Sequence, residues 1–385
     1  MGGVSMEWKE VTLGEIAIFK TGKLNSNAAI SNGEYPFFTC SPETLRINSY
    51  AFDQEAILLA GNNAEGNFSI KYYKGKFNAY QRTYVITPIR GKVDIKFLYY
   101  ALSLCLKQLK NMSQGTSTKF LTVTILNSFS VQLPSISDQR RIASILSSLD
   151  RKIELNNKIN ADLEEMAQAI FKNWFVDFEP FKDGKFVDSE LGMIPEGWKV
   201  GCLGDITSNK SAKVKERTDV KVLSPVTTGE LVLSEEYFSK QVFSSSIAKY
   251  KIVSIGDFAY NPARVNIGSL GRNEFEFDGC VSPVYVVFSV IDGYENYFDL
   301  FRKTDFFKDK VASLAIGGVR QSLSYDDLSS IETIIPNINI VEKFNNLYNQ
   351  MKKTIKANKQ ESSRLSLLRD TLLPRLMSGE IEVPE

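Results

Sequence analysis

The sequence predicts an α+β fold. It has two tandem α+β domains with pseudo-two-fold symmetry, separated by two long antiparallel coiled-coil helices. Three observations predict it. Sequence around 134–153 returns 202 residues later, and sequence around 8–16 returns 190 residues later. A heptad seam runs through the helical part of each repeat, and short β-rich runs fill the rest. The expected divisions are a first domain at 1–137, a helix at 138–180, a linker at 181–194, a second domain at 195–337 and a closing helix at 338–385.

The first domain opens on Trp8-Lys9 and Leu13-Gly14-Glu15-Ile16, which match Trp198-Lys199 and Leu203-Gly204-Asp205-Ile206. Pro134, Leu149 and Ile153 match Pro336, Met351 and Ile355. Two shifts that differ by 12 mean that both halves share a start and an end, with about a dozen extra residues between them in the second half. The β-rich runs Tyr84–Pro88 and Tyr285–Val290 occupy equivalent places near a shift of 201. With helical segments such as 95–109 between strands, each globular part reads as α+β.

Steps of four and three from Ile142 visit Leu146, Leu149, Ile153, Asn156, Asn160, Leu163, Ala167, Ile170 and Trp174. This is an a/d seam sustained over roughly 33 residues, or ~50 Å of helix. Its echo visits Phe344, Tyr348, Met351, Ile355, Asn358, Ser362, Leu365, Arg369, Leu372 and Leu376. Ser137 and Asn339 stand where N-caps belong, after strand-ending prolines. Pro374 is expected to kink the last turns of the second helix. Asn156 and Asn160 straddle the midpoint of the first seam, and Asn358 and Ser362 hold the equivalent place. Antiparallel pairing about that midpoint sets Asn156 by Ser362 and Asn160 by Asn358, a polar layer that fixes register at some cost in stability.

At 385 residues with 43% apolar and 24% charged residues, the chain has the composition of a soluble protein of two or three domains. No apolar run approaches the ~18 residues that span a bilayer, so no membrane partner is expected. MGGVSMEWKE lacks the order of a secretory signal. Cys40, Cys105, Cys202 and Cys280 form no CxxC pair and suit a reducing compartment, pointing to the cytoplasm. The chain has no histidine. That excludes Ser-His-Asp and Cys-His nucleophile machinery and the usual zinc ligand sets.

Residues 1–137 carry 14 Lys+Arg against 9 Asp+Glu, and residues 195–337 carry 16 against 19. With a net charge of +1, a nucleic-acid binder needs local basic surfaces, because the global field steers little. One basic stretch is SNKSAKVKERTDVK, 208–221, which reads equally as a solvated face. Loops rich in Asn, Gly and Gln recur at 60–68, 78–83, 113–120 and 261–273. Their amide and guanidinium groups suit base edges and phosphates, although each loop alone also reads as ordinary turn chemistry. Catalytic motifs fail. GNNAEGN, 61–67, has phosphate-loop glycine spacing but Asn67 in the lysine position. Tyr260-Asn261-Pro262-Ala263 is similar to the amino-methyltransferase motif but lacks its second proline and its aromatic.

Several segments resemble one family, the specificity subunit of Type I restriction-modification systems. LGMIPEGWKVGCLGDI (191–206) is similar to the family's entry into a target-recognition domain, and SLLRDTLLPRLMSGEI (366–381) to its C-terminal conserved helix. AQAIFKNWFVDFEPF (167–181) and QGTSTKFLTVTILNSFSVQLP (114–134) are also typical, the latter answered by GGVRQSLSYDDLSSIETIIP (317–336). The resemblance covers essentially the whole chain. It implies two target-recognition domains that each read half of a bipartite double-stranded DNA site. It also implies helices that set the spacer and dock two modification (methyltransferase) subunits, with restriction subunits able to join. It further implies no cofactor and no catalysis in this chain.

Within the domains, chemistry and loop position nominate the DNA contacts. For the first they are Lys23, Asn62, Lys71, Gln81, Arg82, Thr116, Ser117 and Lys119. For the second they are Lys213, Arg217, Arg264, Asn266, Arg272, Arg320 and Gln321. Arg and Gln suit bidentate reading of guanine and adenine, and lysines suit phosphates. The competing reading is a DNA-independent scaffold that joins protein partners through its coiled coil.

Overall fold

The computed structural model describes residues 7–238, 240–314 and 322–383. The chain divides into two compact units, residues 1–158 with 358–385, and residues 159–357. Each unit therefore combines one globular part with half of each long helix, a division that cuts across the boundaries expected from sequence.

The first unit is built on a six-stranded sheet. Its order is Ala17–Thr21, Thr83–Pro88, Phe52–Ala60, Ile70–Ala79, Tyr35–Phe38 and Leu45–Ile47. The strand Phe52–Ala60 shows why it lies at the centre. Its last five residues, Ala56 to Ala60, are all buried, and alternate residues serve opposite faces. Ile57 and Leu59 join the main core with Phe97, Leu98 and Leu102, while Ala56 and Leu58 join Phe38, Phe77 and Val85. The helix Ile95–Leu104 supplies that main core. It begins where Asp94 accepts from the Lys96 and Phe97 N–H groups at 3.0 and 3.1 Å. Each of its fully buried apolar side chains contributes roughly 1.5–3 kcal/mol of burial.

The second unit repeats the first four of these strands in the same order: Thr207–Lys210, Val286–Val290, Phe258–Tyr260 and Leu270–Arg272. The frames agree bond for bond. Lys9–Thr12 pairs Ser130–Leu133 with Lys9 opposite Leu133, and Lys199–Cys202 pairs Glu332–Ile335 with Lys199 opposite Ile335. Ile89 N–H donates to Ile16 O at 2.7 Å, and Ile291 N–H donates to Ile206 O at 2.9 Å. The pairing fixes the shift of the Thr83–Pro88 strand at 202, one more than the sequence match indicates. The extra residues of the second half fall between Thr207–Lys210 and Phe258–Tyr260. A second sheet, ordered Leu231–Leu233, Lys221–Pro225, Gly279–Val281 and Lys251–Val253, repeats the outer part of the first unit's sheet, with Lys221–Pro225 parallel to Gly279–Val281 as Tyr35–Phe38 is to Ile70–Ala79.

The long helices run Ile136–Phe175 and Ile338–Met377, each 40 residues or ~60 Å long. Their starts correct the expected caps. Ser135 Oγ accepts from Asp138 N–H at 3.2 Å, and Asn337 Oδ1 accepts from Asn339 N–H at 3.0 Å. The capping residues thus lie two places before Ser137 and Asn339, because the helix starts immediately after the proline-ended strand. The second helix continues through Pro374 to Met377.

Within each unit the helix halves run antiparallel. In the first, Ile142 and Leu146 share a core with Leu372 and Leu376, Asp150 pairs with Arg369 at 2.8 Å, and Asn156 faces Ser362. In the second, Ala167, Phe171 and Trp174 pack with Met351, Tyr348 and Phe344. The tail after the second helix turns at Gly379 (φ +76°), where any side chain would start 2.6 Å from Trp8 Nε1, and buries Val383 in the first core.

Candidate nucleic-acid interface

In the first unit four loops are hydrogen-bonded into one surface. Gly61 N–H donates to Arg82 O at 2.8 Å, and Leu121 N–H donates to Gly61 O at 2.8 Å. Gln81 N–H donates to Leu24 O at 2.9 Å, which brings Lys23 alongside. Asn62–Asn63 pairs antiparallel with Lys119–Phe120. Gln114 and Phe120 exchange backbone bonds of 3.0 and 2.9 Å, which closes the loop that carries Thr116 and Ser117. Two glycines permit these crossings. A Cβ on Gly22 would lie 1.7 Å from Ala79 O, and one on Gly115 (φ +96°) 2.1 Å from Thr118 O.

Seven of the eight residues nominated in the first domain fall on this surface. Lys23, Gln81, Arg82, Thr116 and Ser117 are exposed, and Asn62 and Lys119 are half-buried. Gln81 Nε2 donates to Asn25 Oδ1 at 2.7 Å, so its amide is presented in a fixed orientation. Lys71 differs. Its ammonium donates to Ser41 O at 3.1 Å and Glu43 O at 2.9 Å and lies 5.7 Å from the Phe38 ring centroid. Burial lowers its pKa, against the pull of Glu43. Lys71 is a latch for the 41–43 loop. Lys110 was missed by sequence reading, and its ammonium donates to Asn67 Oδ1 at 2.8 Å beside this surface. Only the turn that packs Gly66 against Lys110 and Lys119 brings it there.

In the second unit the loop 261–269 follows the strand Phe258–Tyr260, as the loop 61–69 follows Phe52–Ala60. Leu323 N–H donates to Pro262 O at 3.2 Å, the counterpart of the Leu121 to Gly61 bond. Gly268 (φ +96°) turns where a Cβ would meet Thr227 O at 2.7 Å, and Ser269 Oγ donates to Pro225 O at 2.8 Å. This loop carries Arg264 and Asn266 outward, both exposed, and Lys213 is exposed on a separate stretch.

Two nominated arginines hold the scaffold instead. Arg217 bridges Asp219 and Asp278 at 2.6 and 3.0 Å. These partners raise its pKa, and Arg217 holds the Asp219 carboxyl down to about 2. Arg272 is half-buried, donates to Asn296 Oδ1 at 3.0 Å and covers the Phe258 ring at 5.8 Å. Basic side chains in sequence look alike whether an acid or an aromatic awaits them in the fold. Arg320 and Gln321 lie outside the described residues.

At the helix midpoint, Asn156 is fully buried, and its Nδ2 donates to Glu361 Oε2 at 2.8 Å and Ser362 Oγ at 3.3 Å. Glu361 also pairs with Lys152 at 3.1 Å. No cluster of metal-ligating side chains occurs among the described residues. None of the helices described is long and apolar enough to cross a membrane.

The chain is 30% identical over 318 residues to the Type I restriction enzyme MjaIX specificity subunit of Methanocaldococcus jannaschii, covering 78% of this chain and 72% of the relative. It belongs to the family of Type I restriction enzyme specificity subunits. The EcoDI specificity subunit of Escherichia coli is 29% identical across 99% of this chain and 90% of its own length. Residues 6–165 match the family described as Type I restriction modification DNA specificity domain. The crystal structure of the S subunit from M. genitalium superposes over 100% of this chain and 98% of its own, with TM-score 0.63 at 16% identity, and so has the same fold. The chain is thus a specificity subunit.

Proposed function

We propose that each globular part reads one half of a bipartite double-stranded DNA site through the loop surfaces described above. The observation that carries this reading is the duplicated frame. Two units keep the same strand order and the same hydrogen-bond register while presenting different loops. In the first unit Gln81 and Arg82 face base edges, with Asn62, Thr116 and Ser117 beside them and Lys23, Lys119 and Lys110 against phosphates. In the second unit Asn266 reads, joined by Arg320 and Gln321, and Arg264 and Lys213 meet the phosphate backbone. Lys71, Arg217 and Arg272 support these loops from behind.

The two long helices set the unread spacer and dock two modification subunits, to which restriction subunits can be added. Asn156, Asn160, Asn358 and Ser362 fix the register of the pair. The subunit works in the cytoplasm, holds no cofactor and performs no chemistry of its own. Co-expression with the modification subunit, followed by mapping of methylated adenines across a genome, tests this. A two-part motif with a constant spacer is expected. Methylation without a bipartite motif overturns the reading and favours a DNA-independent scaffold.

A further inference from the structure

A cavity of about 370 Å³ opens in the second unit between strand Lys221–Pro225, the short helix Ser234–Tyr237 and the loop 261–269. Five of its lining residues are aromatic: Tyr237, Phe238, Phe243, Tyr250 and Tyr285. Tyr250 is buried and held by the Ser244 N–H, which donates to its hydroxyl at 3.0 Å. Tyr237 is 55% exposed. Arg264, exposed on the reading loop, also lines the cavity. Lys215 and Lys249 flank Tyr250, because Val214 N–H donates to Tyr250 O and Lys215 N–H to Ala248 O, both at 2.9 Å.

We infer that this cavity holds one nucleotide, with its base against the aromatic side chains and its phosphate against Arg264. A small pocket with several π-faces and a guanidinium at its edge matches a flat aromatic ring carrying an anion. The volume is near the low end for ligand sites, which suits one base rather than a run of them. Glu235 and Glu236 are exposed on the helix that carries Tyr237, so the phosphate enters from the Arg264 side. The nucleotide comes either from the bound duplex, by unstacking, or from solution as a free mononucleotide. The first source rests on the DNA reading proposed above.

The test uses the full subunit assembled with its modification subunit. One arm photocrosslinks duplexes bearing 5-iododeoxyuridine or 8-bromodeoxyadenosine at one position at a time and sequences the linked peptides. The other titrates dAMP and dTMP by calorimetry. Expected is a crosslink to Tyr237 or Phe243 from one duplex position, or saturable mononucleotide binding, with the signal about tenfold lower in both Arg264→Ala and Tyr237→Ala. Tyr237 is exposed enough for its variant to fold. Absence of signal in both arms, or signals unmoved by both substitutions, overturns the inference. Sequence-specific protection of the duplex with a silent cavity rejects only this inference. Loss of that protection in the unmodified complex rejects the DNA reading itself.

Discussion

In the first unit, a polar group ties the helix pair to the sheet domain near solvent. Arg369 meets Asp150 at 2.8 Å, and Tyr100 donates to the same carboxylate at 2.5 Å, with Arg369 and Asp150 about a quarter to a third exposed. In the second unit the comparable group is sealed. Arg302 meets Asp299 at 2.7 Å with both side chains under a tenth exposed, Arg302 donates to Leu270 O at 2.8 Å, and Tyr348 reaches Asp299 from the long helix. The strand frame of the two units coincides in register, yet the fastening of helix to domain does not. Duplication kept what the backbone specifies and left each unit to find its own side-chain anchor.

The largest expected effect breaks this comparison directly. Arg302→Met leaves a buried carboxylate unpaired and costs the second unit about 3–5 kcal/mol. Arg369→Met costs the first about 1 kcal/mol, because water screens that pair. Hydrogen exchange resolved by unit reads both, and equal losses would refute the contrast. The pH dependence follows the same line. Burial is the largest single influence on Asp299 and raises its pKa. The charges of Arg302, Lys303 and Lys352 and the Arg302 hydrogen bond together outweigh it, so its carboxyl is held down to about 2. Its stabilisation is therefore complete above the unfolded value near 4 and is lost as pH falls through 2. Acid titration followed by exchange should show the wild-type second unit losing this contribution in that window, with Asp299→Asn showing no such step.

A middle-sized effect separates the two reading surfaces. Arg82→Ala and Asn266→Ala should each cost about 1–3 kcal/mol of discrimination, each relaxing a different half of the site. Methylation mapping of both variants checks this, and relaxation of the same half by both would contradict it. Lys71→Ala, by contrast, should destabilise the 41–43 loop without lowering the salt dependence of DNA binding by one phosphate contact.

The smallest effect concerns the helix midpoint. The Oδ1 of Asn156 is buried without a hydrogen-bond partner while its Nδ2 is bonded. Asn156→Leu should therefore stabilise the first unit by about 1 kcal/mol and weaken selection of a single register. Thermal unfolding that shows a loss of stability would contradict this.

The frame was legible from sequence because backbone pairing depends on period and spacing, which repeats expose. The shifts of 190 and 202 in the chain reappear as identical strand registers. The caps were misplaced by two residues because Ser135 and Ser137, like Asn337 and Asn339, are equally good capping types. Only the end of the preceding strand chooses between them. The loop surfaces were half legible. Gly-hinged loops could be found by composition, and seven of eight nominations in the first domain converge. Arg217 and Arg272 could not be sorted, since Asp278 and Asn296 lie 61 and 24 residues away and only folding brings them near.

The central claim is that the helices measure and the globular parts read. Insertion of seven residues in each helix beside the matched midpoint adds ~10 Å, or ~3 base pairs of spacer. Mapping methylated adenines in cells that carry this variant and its modification subunit should return a spacer longer by about that amount, with both half-sites unchanged. An altered half-site, or an unchanged spacer, would contradict the account.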